Sequence, residues 1–250
     1  MKIYQKTGIK VTTNYSPNFD LNKRLKKKIK FIIIHYTGMK TESSAIKRLQ
    51  DSKYKVSSHF YIKNNGSILV LVPELYEAWH AGVSHWKSYK SLNKYSIGIE
   101  ITNPGHQYGY KNFSSKQIFA LKKLLTHLMK KYRISKKCIL GHSDISPNRK
   151  KDPGEKFPWK KLAKNGLCWW HTLDIKKIKK LRKIKVTSKI EKNRFFLNLQ
   201  KIGYNNVKGI KNNISNKYLT MAFQRRFRQS IIDGKIDKEC LLISKNLLLN

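Results

Sequence analysis

The chain predicts an α/β fold, a β-sheet covered by helices, followed by a small helical section. Three observations predict it. Short runs rich in Ile, Val and Phe alternate with amphipathic stretches of helical period, an Asn-Gly pair separates two of those runs, and after Trp159 the texture turns basic and helical. Residues 31–36, Phe-Ile-Ile-Ile-His-Tyr, are an apolar run of the kind that forms a buried strand. Thr41 to Asp51 reads as a helix, with Thr41 and Ser43 as available caps and Ala45, Ile46 and Leu49 as its stripe. Ser58-His-Phe-Tyr-Ile and Ser67-Ile-Leu-Val-Leu-Val flank Lys63-Asn-Asn-Gly66, a hairpin signal. Tyr95 to Ile101 is a further strand. Ser114 to Tyr132 is a long helix with Ile118, Leu121, Leu124, Leu125 and Leu128 on one face, and Cys138-Ile-Leu140 is a brief strand leading into an irregular stretch, Gly141 to Trp159.

Beyond Trp159, residues 160–190 carry eleven Lys/Arg against one acid, with Ile175, Ile178, Leu181 and Ile184 at every third position, so a basic amphipathic helix is expected there. Residues 191–250 show apolar helical patterns at Phe195–Ile202, Leu219–Phe227 and Leu241–Leu248, with turns around Gly203, Gly209 and Gly234. The expected division is 15–168, a basic linker over 169–190, and a helical unit over 191–250. That last length is close to the lower limit for an independent core.

Composition narrows the function classes. Of 250 residues, 54 are Lys or Arg and 14 Asp or Glu, a formal net charge of +40, which excludes an acidic solvating protein. An aromatic content of 11% argues against a disordered chain. No apolar run approaches the roughly 18 residues of a membrane span, so no transmembrane segment is expected. Cys138, Cys168 and Cys240 are odd in number and form no CxxC pair, the pattern of neither a disulfide framework nor a Cys-zinc site. A basic surface is the footprint of phosphate binding, yet here Lys dominates and no nucleic-acid motif accompanies it. The charge is diffuse over 1–159 and 191–250 and concentrated in 160–190. No specific nucleic-acid partner is expected. An anionic polymer or lipid surface is the partner class to seek at the linker.

The densest chemistry lies in Gly141-His-Ser-Asp-Ile-Ser-Pro-Asn-Arg-Lys-Lys-Asp-Pro-Gly154, a Pro/Gly-punctuated loop where functional groups are displayed on a scaffold. His142 follows a strand end, Asp152 sits ten residues on, and His35 lies near another strand end. Two histidines and a carboxylate are a catalytic zinc set with the fourth position open. By residue type alone, eight histidines offer many such trios.

Order and spacing narrow the choice. His35-Tyr-Thr-Gly38, Ser57-Ser-His-Phe60, Ala78-Trp-His-Ala-Gly82, Ser96-Ile-Gly-Ile-Glu100 with Asn103-Pro-Gly, Gly141-His-Ser-Asp-Ile with Arg149-Lys-Lys-Asp-Pro-Gly154, and Phe157-Pro-Trp159 follow one another. In that order they resemble the type-2 zinc N-acetylmuramoyl-L-alanine amidases, which share a fold with peptidoglycan recognition proteins, over residues 15–168. The resemblance implies a mixed central β-sheet flanked by helices. It also implies one Zn2+ per chain on His35, His142 and Asp152, with Glu100 as general base and Lys150 beside the reacting carbonyl. The implied reaction is hydrolysis of the amide between the muramoyl lactyl group and L-alanine of the stem peptide.

Other positions stay open between two roles. Trp79 and His80 either wall the substrate groove or pack in the core. His59 is a packed or substrate-lining side chain, and Asn103 either bonds the stem peptide or caps the turn at Pro104-Gly105. Asp144 either orients an imidazole or closes an Asx turn. His85, His106, His127 and His171 read as surface or structural.

In the last section, Leu197-Asn-Leu-Gln-Lys-Ile-Gly-Tyr204, Thr220-Met-Ala-Phe-Gln-Arg-Arg-Phe227 and Asp233-Gly-Lys-Ile-Asp237 resemble the three-helix type-1 peptidoglycan-binding module. An amidase that also tethers to a polymeric wall is the expected function, acting as a monomer. A non-catalytic recognition protein is the alternative, which the filled zinc set disfavours. The substrate is either the intact wall or a released anhydro-muropeptide. The first thirty residues lack an apolar h-region, the pattern of a cytoplasmic start. The wall-binding resemblance points instead to the cell envelope, and the envelope is the expectation.

Overall fold

Ile-rich strands build the centre of the molecule, for which the computed structural model describes residues 11–205 and 212–249. The turn expected around Gly209 and the first ten residues fall outside that range. Strands β1 (Val11–Thr13), β2 (Phe31–Tyr36), β3 (Phe60–Ile62), β4 (Ile68–Val70), β5 (Ser96–Ile101) and β6 (Ile139–Gly141) form one sheet in the order β1-β4-β3-β5-β2-β6. Every neighbouring pair is parallel except β3–β4. That antiparallel pair is the hairpin expected at Asn65-Gly66, whose glycine adopts φ +84°, a conformation that favours glycine there.

The period of two in these strands sorts their side chains by face. Ile32, Ile34, Phe60, Ile62, Ile97, Ile99 and Ile101 join one buried cluster with the stripe Ile118, Leu121, Leu124, Leu125 and Leu128. That stripe belongs to helix α2 (Ser115–Tyr132), which starts at a capping box between Ser114 and Gln117. Each such side chain contributes roughly 1.5–3 kcal/mol on leaving water. On the opposite face, Tyr61 and Leu69 pack against Ala45 and Leu49 of helix α1 (Glu42–Gln50). Thr41 Oγ1 accepts from the Ser44 N–H at its start, the capping role expected of Thr41.

The rest of that face is covered from far along the chain. After short helices α3 (His142–Ile145) and α4 (Trp159–Ala163) come α5 (Ile175–Lys179), α6 (Lys189–Ile202), α7 (Asn212–Phe227) and α8 (Lys238–Leu249). Phe31, Ile33, Leu140 and Ile145 share one cluster with Phe195, Leu199, Phe223 and Ile243, so the apolar side of the C-terminal helices is continuous with the sheet.

The basic stretch departs from the expected single helix. Of the residues 175–184 that carry the three-residue spacing, only Ile175–Lys179 is α-helical, because the chain turns at Lys183 with φ +66° and Lys185 then bridges Asp237. Ile178 and Val186 are buried while Ile184 is 48% exposed, so the three-residue spacing marks no continuous stripe. Among the described residues no helix is long and apolar enough to cross a membrane.

Candidate active site

Strand register places the first two functional groups. In β2 and β5 the odd-numbered Phe31, Ile33 and His35 pair with the even-numbered Ser96, Gly98 and Glu100, so His35 and Glu100 are cross-strand neighbours on the face away from α2. Both stand toward the C-terminal ends of parallel strands, where α/β sheets open into clefts. Strand β6 lies on the other side of β2 and delivers His142 directly after Gly141. A Cβ on Gly141 would come within 2.7 Å of Pro153 Cδ, so glycine lets the Asp152-bearing loop close onto the strand end. The Ser143 N–H donates to the Asp152 carbonyl at 2.8 Å, tying that loop to α3.

Three atoms converge there. His35 Nδ1 is 2.9 Å from His142 Nδ1 and 3.0 Å from Asp152 Oδ2, and the latter two are 3.1 Å apart. All three residues are buried. The surrounding bonds determine where the imidazole protons sit. Ser96 Oγ donates to the Leu92 carbonyl and so accepts from His80 Nε2–H at 3.2 Å. His80 Nδ1 is then the acceptor for His35 Nε2–H at 3.0 Å. His142 Nε2–H donates to the Ala81 carbonyl at 3.1 Å. Both Nδ1 atoms therefore turn a lone pair toward a carboxylate oxygen. Burial first, and His142 second, hold the His35 imidazole down at about 4, so it is neutral at physiological pH. Three acceptors within about 3 Å, with no proton among them, are a site for a cation. Among the described residues this trio is the one cluster of His, Cys, Asp and Glu whose ligand atoms meet closely enough to hold a metal ion.

The trio lies in a cleft of about 680 Å³, lined also by Tyr36, Arg48, Trp79, Glu100, His106 and Lys150. Glu100 Oε2 is buried with no hydrogen-bond partner among the described residues. Burial first, then the Asp152 charge, push its carboxyl up to about 8, against the opposing pull of Lys150. A carboxyl poised near neutral pH in a cleft is suited to moving a proton.

The chain belongs to the N-acetylmuramoyl-L-alanine amidase family. The family model matches residues 25–155. The N-acetylmuramoyl-L-alanine amidase AmiD of Escherichia coli is 35% identical over 88% of this chain and 83% of its own. A structure of AmiD with the substrate anhydro-N-acetylmuramic acid-L-Ala-D-gamma-Glu-L-Lys superposes with a TM-score of 0.77 at 32% identity, covering 92% of this chain and 91% of that one. AmpDh3 from Pseudomonas aeruginosa, solved with an anhydromuramic pentapeptide, gives 0.76 at 28% identity, covering 94% and 96%. The mixed sheet flanked by helices is thus the amidase fold.

The remaining expected positions separate within this amidase. Trp79 lines the cleft, and its Nε1–H donates to Asp20 Oδ1 at 3.1 Å. His80 borders the cleft, but its ring bonds point inward to His35 and Ser96, so it supports a trio member. His59 lies outside the lining of this cleft. It is fully buried, with Nδ1 accepting from the Gly98 N–H and Nε2–H donating to the Tyr76 carbonyl. Asn103 is likewise committed elsewhere: its Oδ1 accepts from the Gly105 N–H and its amide donates to the Lys111 carbonyl, which makes it a turn cap.

Two features were not anticipated. His106 stacks on Tyr110 and bonds Tyr36 Oη and Glu155, forming part of the cleft wall. Asp144 is bonded by Tyr204, just beyond α6, and by Arg226 of α7. His106 follows Asn103-Pro-Gly105, so proximity to that motif was its one available signal.

Proposed function

We propose that the cleft hydrolyses the amide between the muramoyl lactyl group and L-alanine of a muropeptide, with His35, His142 and Asp152 holding Zn2+. The chain is an N-acetylmuramoyl-L-alanine amidase by family, and the observation that carries the assignment to this cleft is the proton-free convergence of those three buried atoms beside Glu100. Zinc supplies Lewis acidity there, polarising a carbonyl and acidifying water.

The protein's own groups do the rest. Glu100, as a carboxylate, takes a proton from the attacking water and returns it to the leaving nitrogen, which an amide needs because its amine leaves poorly as an anion. Lys150 stabilises charge that grows on the carbonyl oxygen, a contribution of order 10²–10³ in rate where such groups are removed. Arg48 and Lys151 also line the cleft, which suits the carboxylates of a stem peptide, and Trp79 forms an apolar wall. The anhydro-muropeptides bound in the two related structures fit the same substrate class. The C-terminal helices are proposed to bind wall glycan, as their sequence blocks imply, which would raise the effective concentration of a tethered substrate.

Incubation with an anhydromuramoyl tripeptide, followed by mass spectrometry, tests the reading. Release of the free tripeptide should stop with chelator, return with Zn2+, and be lost in Glu100→Gln and His142→Ala. Wild-type cleavage by both variants would sink it. Binding of inactive protein to purified sacculi, compared between wild-type and altered C-terminal helices, tests the tethering role.

A further inference from the structure

Asp144 follows His142 by two residues on α3, is 1% exposed, and has its carboxylate fully engaged. The Gly141 N–H donates to Oδ2 at 2.8 Å, which is the local turn. The other two donors come from sixty and more residues away. Tyr204 Oη–H donates to Oδ1 at 2.6 Å and Arg226 Nη1–H to Oδ2 at 2.5 Å. The other arm of the Arg226 fork donates to the Ile139 carbonyl of β6 at 2.8 Å, and the guanidinium lies 4.4 Å over the Trp159 ring. Tyr204 is in turn packed edge-on against Trp86. One carboxylate, one arginine fork and one phenol thus join α3, strand β6 and the C-terminal helices.

We propose that Arg226 and Tyr204 are positioning residues for the metal site: by clamping Asp144, the C-terminal helices hold α3 and set the placement of His142 and Asp152. The physical route is short. Helix α3 has four residues, too few to be rigid alone. His142 is its first residue, and the Ser143 N–H holds the Asp152 carbonyl, so a tilt of α3 moves two of the three converging atoms together. His35 sits on β2 and does not follow. The C-terminal section is then an integral part of the catalytic scaffold, whatever it binds. The inference rests on the reading of His35, His142 and Asp152 as the zinc ligands. Residues that orient metal ligands typically change metal affinity by 10–100-fold when altered.

The test measures the Zn2+ dissociation constant of the full chain by competition with a chromogenic chelator, together with the visible spectrum of the Co2+-loaded protein. Tyr204→Phe keeps the ring and removes one donor to Asp144, and Arg226→Met removes the bond to Asp144 and the bond to the Ile139 carbonyl. A third protein, Arg182→Met, breaks an ion pair to Glu239 that lies within the C-terminal section. Tyr204→Phe and Arg226→Met should bind Zn2+ about 10–100-fold more weakly, with altered Co2+ bands. Arg182→Met should bind like wild type even if its melting temperature falls. Should Arg226→Met fail to fold, Tyr204→Phe decides. Unchanged Zn2+ affinity in the folded variants, or an equal loss in Arg182→Met, overturns the proposal. Failure of the wild-type chain to bind Zn2+ at all would instead overturn the metal reading beneath it.

Discussion

Gly98 and His80 meet at a distance that excludes any side chain on residue 98: a Cβ there would lie 2.5 Å from His80 Cγ and 2.7 Å from its Nδ1. The ring cannot simply step aside, because Ser96 and His35 hold its two nitrogens. Gly98→Ala should therefore cost about 1–3 kcal/mol by overpacking and displace the His80 support of His35, weakening metal binding. Thermal melts and chelator competition on the purified variant check both effects. Wild-type values in each would show that the ring relaxes freely.

The parts of this arrangement legible in the sequence are those governed by local rules. Short apolar runs at Phe31–Tyr36 and Tyr95–Ile101 place His35 and Glu100 on strands, and parallel pairing makes them neighbours. The Asn65-Gly66 turn and the Thr41 cap followed from backbone chemistry. Depth was not legible. His59 and Asn103 sit in motifs that leave two roles open, and each finds backbone partners that satisfy it inside. Nor was the clamp on Asp144, since nothing local relates residue 144 to residue 226. Only the apolar face shared between the sheet and the C-terminal helices brings those two together.

The proton-transfer role assigned to Glu100 predicts a pH profile. The carboxylate is the active form, so kcat/KM should rise with pH through the Glu100 titration. Burial and Asp152, against the pull of Lys150, bring that titration up to about 8, and a bound cation pulls it down. The ascending limb should lie between the ordinary glutamate range and 8. In Lys150→Met, kcat falls and the limb moves to higher pH, because a charge favouring the carboxylate is gone. A limb that stays put in Lys150→Met would count against Glu100 as the titrating group.

Buried histidines predict acid sensitivity. Burial first, then the Arg24 charge, hold His59 at about 3 in the folded chain against 6.5 when unfolded. Between those values the unfolded state binds a proton that the folded state refuses, so stability is intact above the unfolded value and falls as pH drops through the window. Each such histidine adds a slope of up to about 1.4 kcal/mol per pH unit. Urea titrations across this range, with chelator present, should show that slope. His59→Gln can still bond the Gly98 N–H and the Tyr76 carbonyl, and should lower the proton count by one. An unchanged slope would place the uptake elsewhere.

Metal binding should also appear as stability. Three acceptors converging within about 3 Å repel one another until a cation sits among them, so a ligand specific to the folded state adds RT ln(1 + [L]/Kd) to unfolding. At free Zn2+ about a thousand times Kd this is about 4 kcal/mol. For a chain of this length it corresponds to a rise of roughly 8–16 °C in melting temperature. Calorimetry with Zn2+ against chelator measures it directly. His142→Ala removes one acceptor and so relieves the repulsion in the metal-free protein. That variant should melt near or above chelated wild type and gain little from Zn2+. If wild type also gained nothing, the convergence of His35, His142 and Asp152 would not be a metal site.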